Sequence, residues 1–389
     1  MNETSTSPAR PTLAAVARLA GVSNSTASLA FSGTGPVSDS TRDRVLAAAK
    51  ELNYAGPDPR ARSLRRGRSG IVGVVMEERV RDAFHDPIKI ALLDGIAQEI
   101  GAIDAGLLIL TDAGDAAQRI HDAPMDAVVL IGCSPRLDES VATLRQRGIP
   151  LVAIEGDPAD DLLTIGQDNR EATRIAAEHL RDLGHERVAV VTLSVDRDRT
   201  PGPITPDRFV AVTANTTRER LAGARDVFPD VPAYATRGSF VEEGRRAGHA
   251  LLSRRTAGSE SAAAEAAAAD AGAADGAAAD AGAADGAAAD AAERPTAIIA
   301  QSDLLAAGVI RAAEELGLAV PADLSVVGFD GVRVDGLWPY DLTTLVQPAV
   351  DKGRAAGVAI VDMLDGRIAH PATFTSVFHL GNTTAPPAS

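Results

Sequence analysis

Seven histidines, one cysteine and a few polar clusters are the residues of this 389-residue chain that could do chemistry, and their spacing argues against catalysis. His85, His121, His179, His185, His249, His370 and His379 are scattered. No H-E-x-x-H, G-x-S-x-G or G-x-x-x-x-G-K-[ST] pattern supplies a metal site, an activated nucleophile or a phosphate cradle. His185, in LGHERV, reads as a helix-end residue, and the glycines at 33 and 35 follow a helix, the wrong context for a dinucleotide loop. Cys133, standing alone, permits no intramolecular disulfide and no cysteine-rich zinc site, as suits a reducing cytoplasm. The chain is therefore read as a non-enzyme without metal or cofactor.

The charged residues say more once they are divided along the chain. Residues 1–70 hold 10 Lys and Arg against 5 Asp and Glu, whereas the remaining 319 hold 28 against 48. A basic head on an acidic body confines any contact with a polyanion such as nucleic acid to the head. On charge alone, an arginine-rich segment without a partner remains the alternative. Neither a basic, then apolar leader nor an apolar run of membrane-spanning length occurs, so the reading is cytoplasmic, with no membrane partner.

The elements that must position these residues follow from caps and periodicity. After a polar leader, residues 1–11, Thr12 reads as the N-cap of a helix over Leu13–Ala20 that stops at Gly21. Ser23 caps a second over Asn24–Phe31, which gives a helix-turn-helix outline. A third follows Ser38 and carries the stripe Val45, Leu46, Ala49 and Leu52. Beyond Tyr54, Asp58 and Pro59 can open one or two helical turns over Arg60–Arg65, too short to be stable unless folded against a surface. From Ile71, short apolar runs (71–75, 107–110, 127–132, 150–155, then 187–193, 232–235, 297–301, 324–330) alternate with amphipathic helices. That pattern implies an α/β fold of two doubly wound parallel sheets with a cleft between them. Residues 196–216 read as a loop. Residues 258–293 are nearly all Ala, Gly, Asp and Glu, with AGAADGAAAD at 271–280 repeated at 281–290; lacking bulky side chains, they read as a disordered insertion.

TLAAVARLAGVSNSTASLAFSG, VSDSTRDRVLAAAKELNY and ARSL, followed by DNREATRIAAEHLRDLGHERVAVV, DLSVVGFDG and LTTLVQPAVDKG, resemble the LacI/GalR family of bacterial transcription regulators over about residues 12–381. The resemblance implies a DNA-binding head at 12–56, a hinge at 57–69, and a periplasmic-binding-protein-like core at 70–381. One subdomain of that core covers about 70–166 and 347–376, the other about 167–346 and 377–381, leaving a tail at 382–389. It also implies a homodimer on double-stranded operator DNA and a small sugar or nucleoside-like effector, with repression the usual output. The alternative is a small-molecule-binding protein of the same core without DNA-dependent regulation.

On that resemblance, the second helix enters the major groove with Asn24 and Ser25 at its leading end. Thr12, Ser23, Thr26, Ser28 and Leu29 stand as further base or phosphate contacts. Leu29 replaces an arginine common in the family, and Ala15 an acidic residue; Leu29 can touch a thymine methyl or pack the head's core. In the hinge, Leu64 matches the leucine that wedges into the minor groove, flanked by Ala61, with Arg60, Arg62 and Arg65 on phosphates. One extra residue near Gly56 separates Tyr54 from this hinge. In the cleft, Arg220, Asp330 and Gln347 match effector contacts, Ser302 matches a frequent Asn position, and Phe84 stands where a ring could stack on a ligand. Phe84-His85-Asp86-Pro87 replaces the family's usual Asn-Pro-Phe-Phe-like stretch. Asp168 reads as a turn residue or a ligand contact, and Trp338 as lying near the cleft mouth or packing a loop.

Overall fold

The computed structural model describes residues 11–32, 35–56, 67–76, 79–111, 116–132, 137–156, 162–196, 198–253 and 294–388. The hinge candidates Arg60, Ala61, Arg62, Leu64 and Arg65, and the repeat insertion, lie outside them. The chain divides into two compact units, residues 1–70 and 71–389.

In the first unit, α1 (Leu13–Ala20) starts where the Thr12 hydroxyl accepts from the Ala15 N–H at 3.3 Å, and ends at Gly21 in the left-handed region with φ 65°. A residue with a Cβ is strained in that conformation, so glycine is what allows the sharp turn into α2 (Asn24–Ser32). The Ser23 hydroxyl accepts from Thr26 N–H at 3.0 Å, and Ser38 caps α3 (Asp39–Glu51) in the same way. Val16, Ala17, Ala27, Ala30, Val45, Ala48 and Ala49 form the core, rimmed by Phe31 and Tyr54 packed edge to face at 5.6 Å. Leu46 is 45% exposed, which corrects its place in the expected stripe. One residue on from Val45 turns about 100° round the helix, and Ala48 takes the inward position instead.

The second unit is two α/β lobes. Its first sheet holds β1 (Ile71–Met76), β2 (Gly106–Thr111), β3 (Ala127–Ile131), β4 (Leu151–Ile154), β5 (Leu163–Gln167) and β12 (Ala372–Phe374), ordered β12-β5-β4-β3-β1-β2 with every pairing parallel. Helices α4 (Val80–Ala83), α5 (Pro87–Gly101), α6 (Ala116–Asp122) and α7 (Leu137–Gln146) connect these strands. The second sheet, ordered β13-β11-β10-β9-β6-β8-β7, holds β6 (Val188–Thr192), β7 (Gly202–Pro203), β8 (Ala233–Ala235), β9 (Ala297–Ala300), β10 (Ser325–Asp330), β11 (Thr343–Val346) and β13 (Val377–His379). Its helices are α8 (Asn169–Asp182), α9 (Pro206–Val210), α10 (Asn215–Arg225), α11 (Val241–Leu252) and α12 (Asp303–Glu315). The last helix, α13 (Ala349–Leu364), returns to the first lobe, where Ala349, Ala356, Ala359 and Ile360 join its core.

The chain thus crosses between lobes after Gln167, after Val346, and between Phe374 and Val377. The stretch 196–216, expected as a loop, contains β7 and α9. There the Arg208 guanidinium gathers the carbonyls of Thr200, Gly202 and Pro203 and the Asp196 carboxylate, satisfying an irregular backbone. No helix among the described residues is long and apolar enough to cross a membrane.

Residues 382–385 are strapped onto the second sheet. Thr383 exchanges bonds with Val326 at 2.7 and 2.8 Å, and the Ala385 carbonyl lies 2.9 Å from His185 Nε2. That carbonyl fixes the ring proton on Nε2 and leaves Nδ1 to accept from the Thr296 hydroxyl at 2.9 Å. His185 is 3% exposed, and burial pushes its pKa below the ordinary value against the opposing pull of the Ala385 carbonyl. The unfolded chain therefore binds the proton more readily. The stabilisation is present above about pH 6.5 and is lost as pH falls through the folded-state value. His185→Gln should accordingly show a shallower drop in melting temperature below pH 6.5 than the wild type; identical acid limbs would contradict this.

Candidate DNA-binding face and ligand cleft

On the head, Thr12, Ser23, Asn24, Ser25 and Leu29 are exposed and Thr26 and Ser28 half-buried. The Ser23 hydroxyl is occupied as a cap and lies 2.8 Å from both Ser25 Oγ and Thr26 Oγ1, a polar knot that orders the start of α2. Asn24 stands on the outside of that turn. Leu29 is 37% exposed while its neighbour Ala30 is buried at 4%, so of the two only Ala30 is core. Arg18, Arg44 and Lys50 are exposed cations on the same unit.

In the two-lobed unit a cavity of about 140 Å³ lies between the lobes, walled by residues at the carboxyl ends of strands, where ligands of open α/β sheets bind. Ile131 ends β3 and Gly132 follows it, Glu155 follows β4, Ser194 follows β6, Ser302 follows β9, and Asp330 ends β10. Asp86 and Lys89 from the start of α5, Thr216 and Arg220 from α10, and Gln347 from a crossing complete the polar wall. Arg220, Ser302, Asp330 and Gln347 are therefore brought together. Phe84 is not: it is 55% exposed and outside the wall. The Asp86 carboxylate caps α5 by accepting from Ile88 N–H at 2.9 Å, which puts Asp86, Ile88 and Lys89 in the cleft and leaves Phe84 on the solvent side of the turn. Trp338 is 89% exposed and lines a separate cavity formed by the 331–342 loop. The Asp168 carboxylate accepts from Ser376 N–H (2.9 Å), Ser376 Oγ (3.0 Å) and Gln167 Nε2 (2.7 Å), so it ties two crossings together and does not face the cleft.

Arg220 is 3% exposed. Its Nε donates to Asn169 Oδ1 at 2.8 Å and its Nη1 to the Gln301 carbonyl at 2.5 Å, while the guanidinium carbon sits 3.5 Å above the Phe329 ring centre. Asp330 Oδ1 lies 3.6 Å and Glu155 Oε2 3.9 Å away. The Gln347 amide donates to Asp330 Oδ1 at 2.6 Å. Ser302 spends its hydroxyl inside the protein, accepting from Leu305 N–H at 3.2 Å as the cap of α12 and from Ser239 at 2.8 Å.

Sequence reasoning missed Glu155, Lys352 and Asn169. Glu155 accepts from Asn169 and Thr216, each at 3.1 Å, and from the Lys352 ammonium. Burial pushes the Glu155 carboxyl up, but Lys352 and Arg220 outweigh it and hold the group at about 2. Asp330 goes the other way, because burial and the neighbouring Asp303 and Asp86 outweigh Arg220 and raise it well above the usual range. Asp303, beneath it, is pushed by burial up to about 7. Glu155 and Asp330, one from each lobe, both hold positive φ (57° and 123°), local strain of the kind that gathers at functional sites. The available signal was position: each directly ends an apolar strand.

A helix-turn-helix head joined to a two-lobed α/β core with a polar inter-lobe cleft defines the class of regulators that couple DNA binding to a ligand-binding-type core. Residues 12–56 match the bacterial regulatory proteins of the lacI family, and residues 177–380 match the periplasmic binding protein-like domain. The chain belongs to the LacI family and is a DNA-binding transcriptional regulator. It is 30% identical to the HTH-type transcriptional regulator IpsA of Corynebacterium glutamicum, over 96% of this chain and 98% of that one. It is 27% identical to the repressor CytR of Escherichia coli K12, over 92% and 90%. Among solved structures, a LacI-family regulator from Corynebacterium glutamicum superposes with a TM-score of 0.65 at 26% identity, covering 98% of this chain and all of that one. The Lac repressor dimer bound to operator and an anti-inducer shares the fold, with a TM-score of 0.68 at 20% identity over 96% and 99%.

Proposed function

We propose that the protein is a cytoplasmic repressor, acting as a homodimer on a two-half-site operator, whose DNA affinity is set by an uncharged sugar or nucleoside-like metabolite held between the lobes. The observation that carries this is the cleft itself, where Arg220, Asp330, Gln347 and Glu155 converge on a cavity at the strand ends. The acidic Asp86, Glu155 and Asp330 stand beside the basic Lys89, Arg220 and, just behind the wall, Lys352, so groups of neither sign dominate the site. Donors and acceptors side by side on one wall suit hydroxyls. The relatives support the reading: CytR is named a repressor, and a CelR regulator of the same fold was solved with cellobiose. Ligand binding favours one lobe orientation, and that orientation sets whether paired hinges fold on DNA.

A thermal-shift screen of uncharged sugars and nucleosides tests the cleft. A compound at 100 times its Kd stabilises the native state by about 2.7 kcal/mol, and a screen without a shift counts against the reading. On DNA, Leu64→Ala should weaken specific binding far more than non-specific binding, because the wedge acts only where the minor groove is opened at the operator centre. Equal losses on operator and random duplex in anisotropy titrations would contradict the wedge.

A further inference from the structure

Among the described residues Lys352 is the largest side chain buried without trace of exposure, and it lies just behind the cavity wall rather than in it. Its ammonium donates to Glu155 and, at 2.7 Å, to Gln347 Oε1. An apolar side chain of the same length would fill this space without the desolvation penalty of a buried cation, so packing alone does not account for it. An ammonium only donates. Beside it, the Gln347 amide must present its oxygen to Lys352 and its nitrogen to Asp330, an orientation the amide alone would not fix. The second bond holds Glu155, whose other oxygen accepts from Asn169 and Thr216 of the opposite lobe.

We propose that Lys352 is a positioning residue for the cleft: from the first lobe it orients Gln347 and Glu155, and through them ties the first lobe's wall to Asp330, Asn169 and Thr216 of the second. Its consequence for ligand affinity rests on the cleft being the effector site, but its test needs no ligand. Failure of the screen above and failure of this inference are therefore separate results. The charged groups facing Glu155 are Lys352 from α13 and Arg220 from α10, with Asp330 beyond Arg220 and Asp86 and Lys89 on the cavity wall.

Melting temperatures of the full chain are measured from pH 5 to 8 for K352M, E155Q and the double variant. In K352M the Glu155 carboxylate loses its main counter-charge and its folded pKa rises. The deficit against wild type, about 5–10 °C at pH 8, should shrink by at least half toward pH 5, where the carboxyl takes a proton. In E155Q the carboxyl that would take the proton is gone, so its deficit should not shrink toward pH 5. The double variant should show a deficit independent of pH. A K352M deficit that is flat with pH would overturn the proposal, since a packing role has no pH signature; if K352M fails to fold, the amide exchange of E155Q decides. Amide exchange supplies the inter-lobe readout. In E155Q, residues 215–220 and 330–332 should exchange faster by about tenfold at pH 7. Unchanged exchange in those second-lobe segments would show that the pair does not join the lobes.

Discussion

Arg220→Ala should cost the two-lobed unit about 3–5 kcal/mol in urea unfolding and remove measurable binding of any sugar or nucleoside that shifts the wild type. The guanidinium is buried and touches Asn169, the Gln301 carbonyl and the Phe329 face together, with Asp330 and Glu155 within 4 Å. Its loss strands a buried amide oxygen and a buried carbonyl, and takes from the two carboxylates a shared counter-charge. Arg220→Lys should recover little, because a point charge cannot donate in two directions in one plane and stack on the ring. Arg218→Ala, one helical face away with its side chain 40% exposed beside Glu219, should cost no more than about 1 kcal/mol. Arg218 and Arg220 variants of equal stability would show that the inter-lobe network is not what holds the cleft, and undiminished calorimetric affinity in Arg220→Ala would place the ligand elsewhere.

Gly353→Ala should be the other large loss, at or above the upper end of the roughly 1–3 kcal/mol usual for overpacking. A Cβ on Gly353 would sit 2.2 Å from the Leu92 carbonyl oxygen, and one on Gly95 2.1 Å from that of Val350, so α5 and α13 cross with their backbones in contact at two facing glycines. No rotamer change relieves a clash with backbone; the helices must part, and α13 carries Lys352 and follows Gln347. Gly101→Ala, at the end of the same α5, meets nothing within 4 Å and should stabilise by about 0.5–1 kcal/mol. Opposite signs for two glycine substitutions in one helical pair are the expected result in denaturant midpoints; a tolerated Gly353→Ala would show the crossing to be loose.

The head was legible because its signals are local. Thr12, Gly21, Ser23 and Ser38 each act on backbone within four residues, and β1, β3, β4, β6, β9 and β10 were read because a strand buried on both faces is apolar throughout. Helix α13 was not read. Its packing face carries Gly353 and Gly357 where an apolar stripe would be, since the contact there is backbone against backbone. Strands β12 and β13, three residues each, are defined by the crossings rather than by any periodicity of their own. In the cleft, Arg220, Asp330 and Gln347 came from resemblance, whereas the Lys352–Glu155 pair joins residues 197 apart and announces itself only by burial. Phe84 was misplaced because its neighbour Asp86 takes the capping role that sets the start of α5.

On the proposed function, a basic head reads DNA under the control of a small molecule bound in the core. Titrating the full-length protein against the DNA upstream of its own gene, with and without the small-molecule fraction of a cell extract, tests it most directly. Binding should be specific, should fall by orders of magnitude between about 50 and 200 mM salt, and should change when the extract is added to the wild type but not to Arg220→Ala. Specific binding that the extract alters equally in both proteins would place control outside this cleft, and no binding at low salt under either condition would rule out a DNA-reading head.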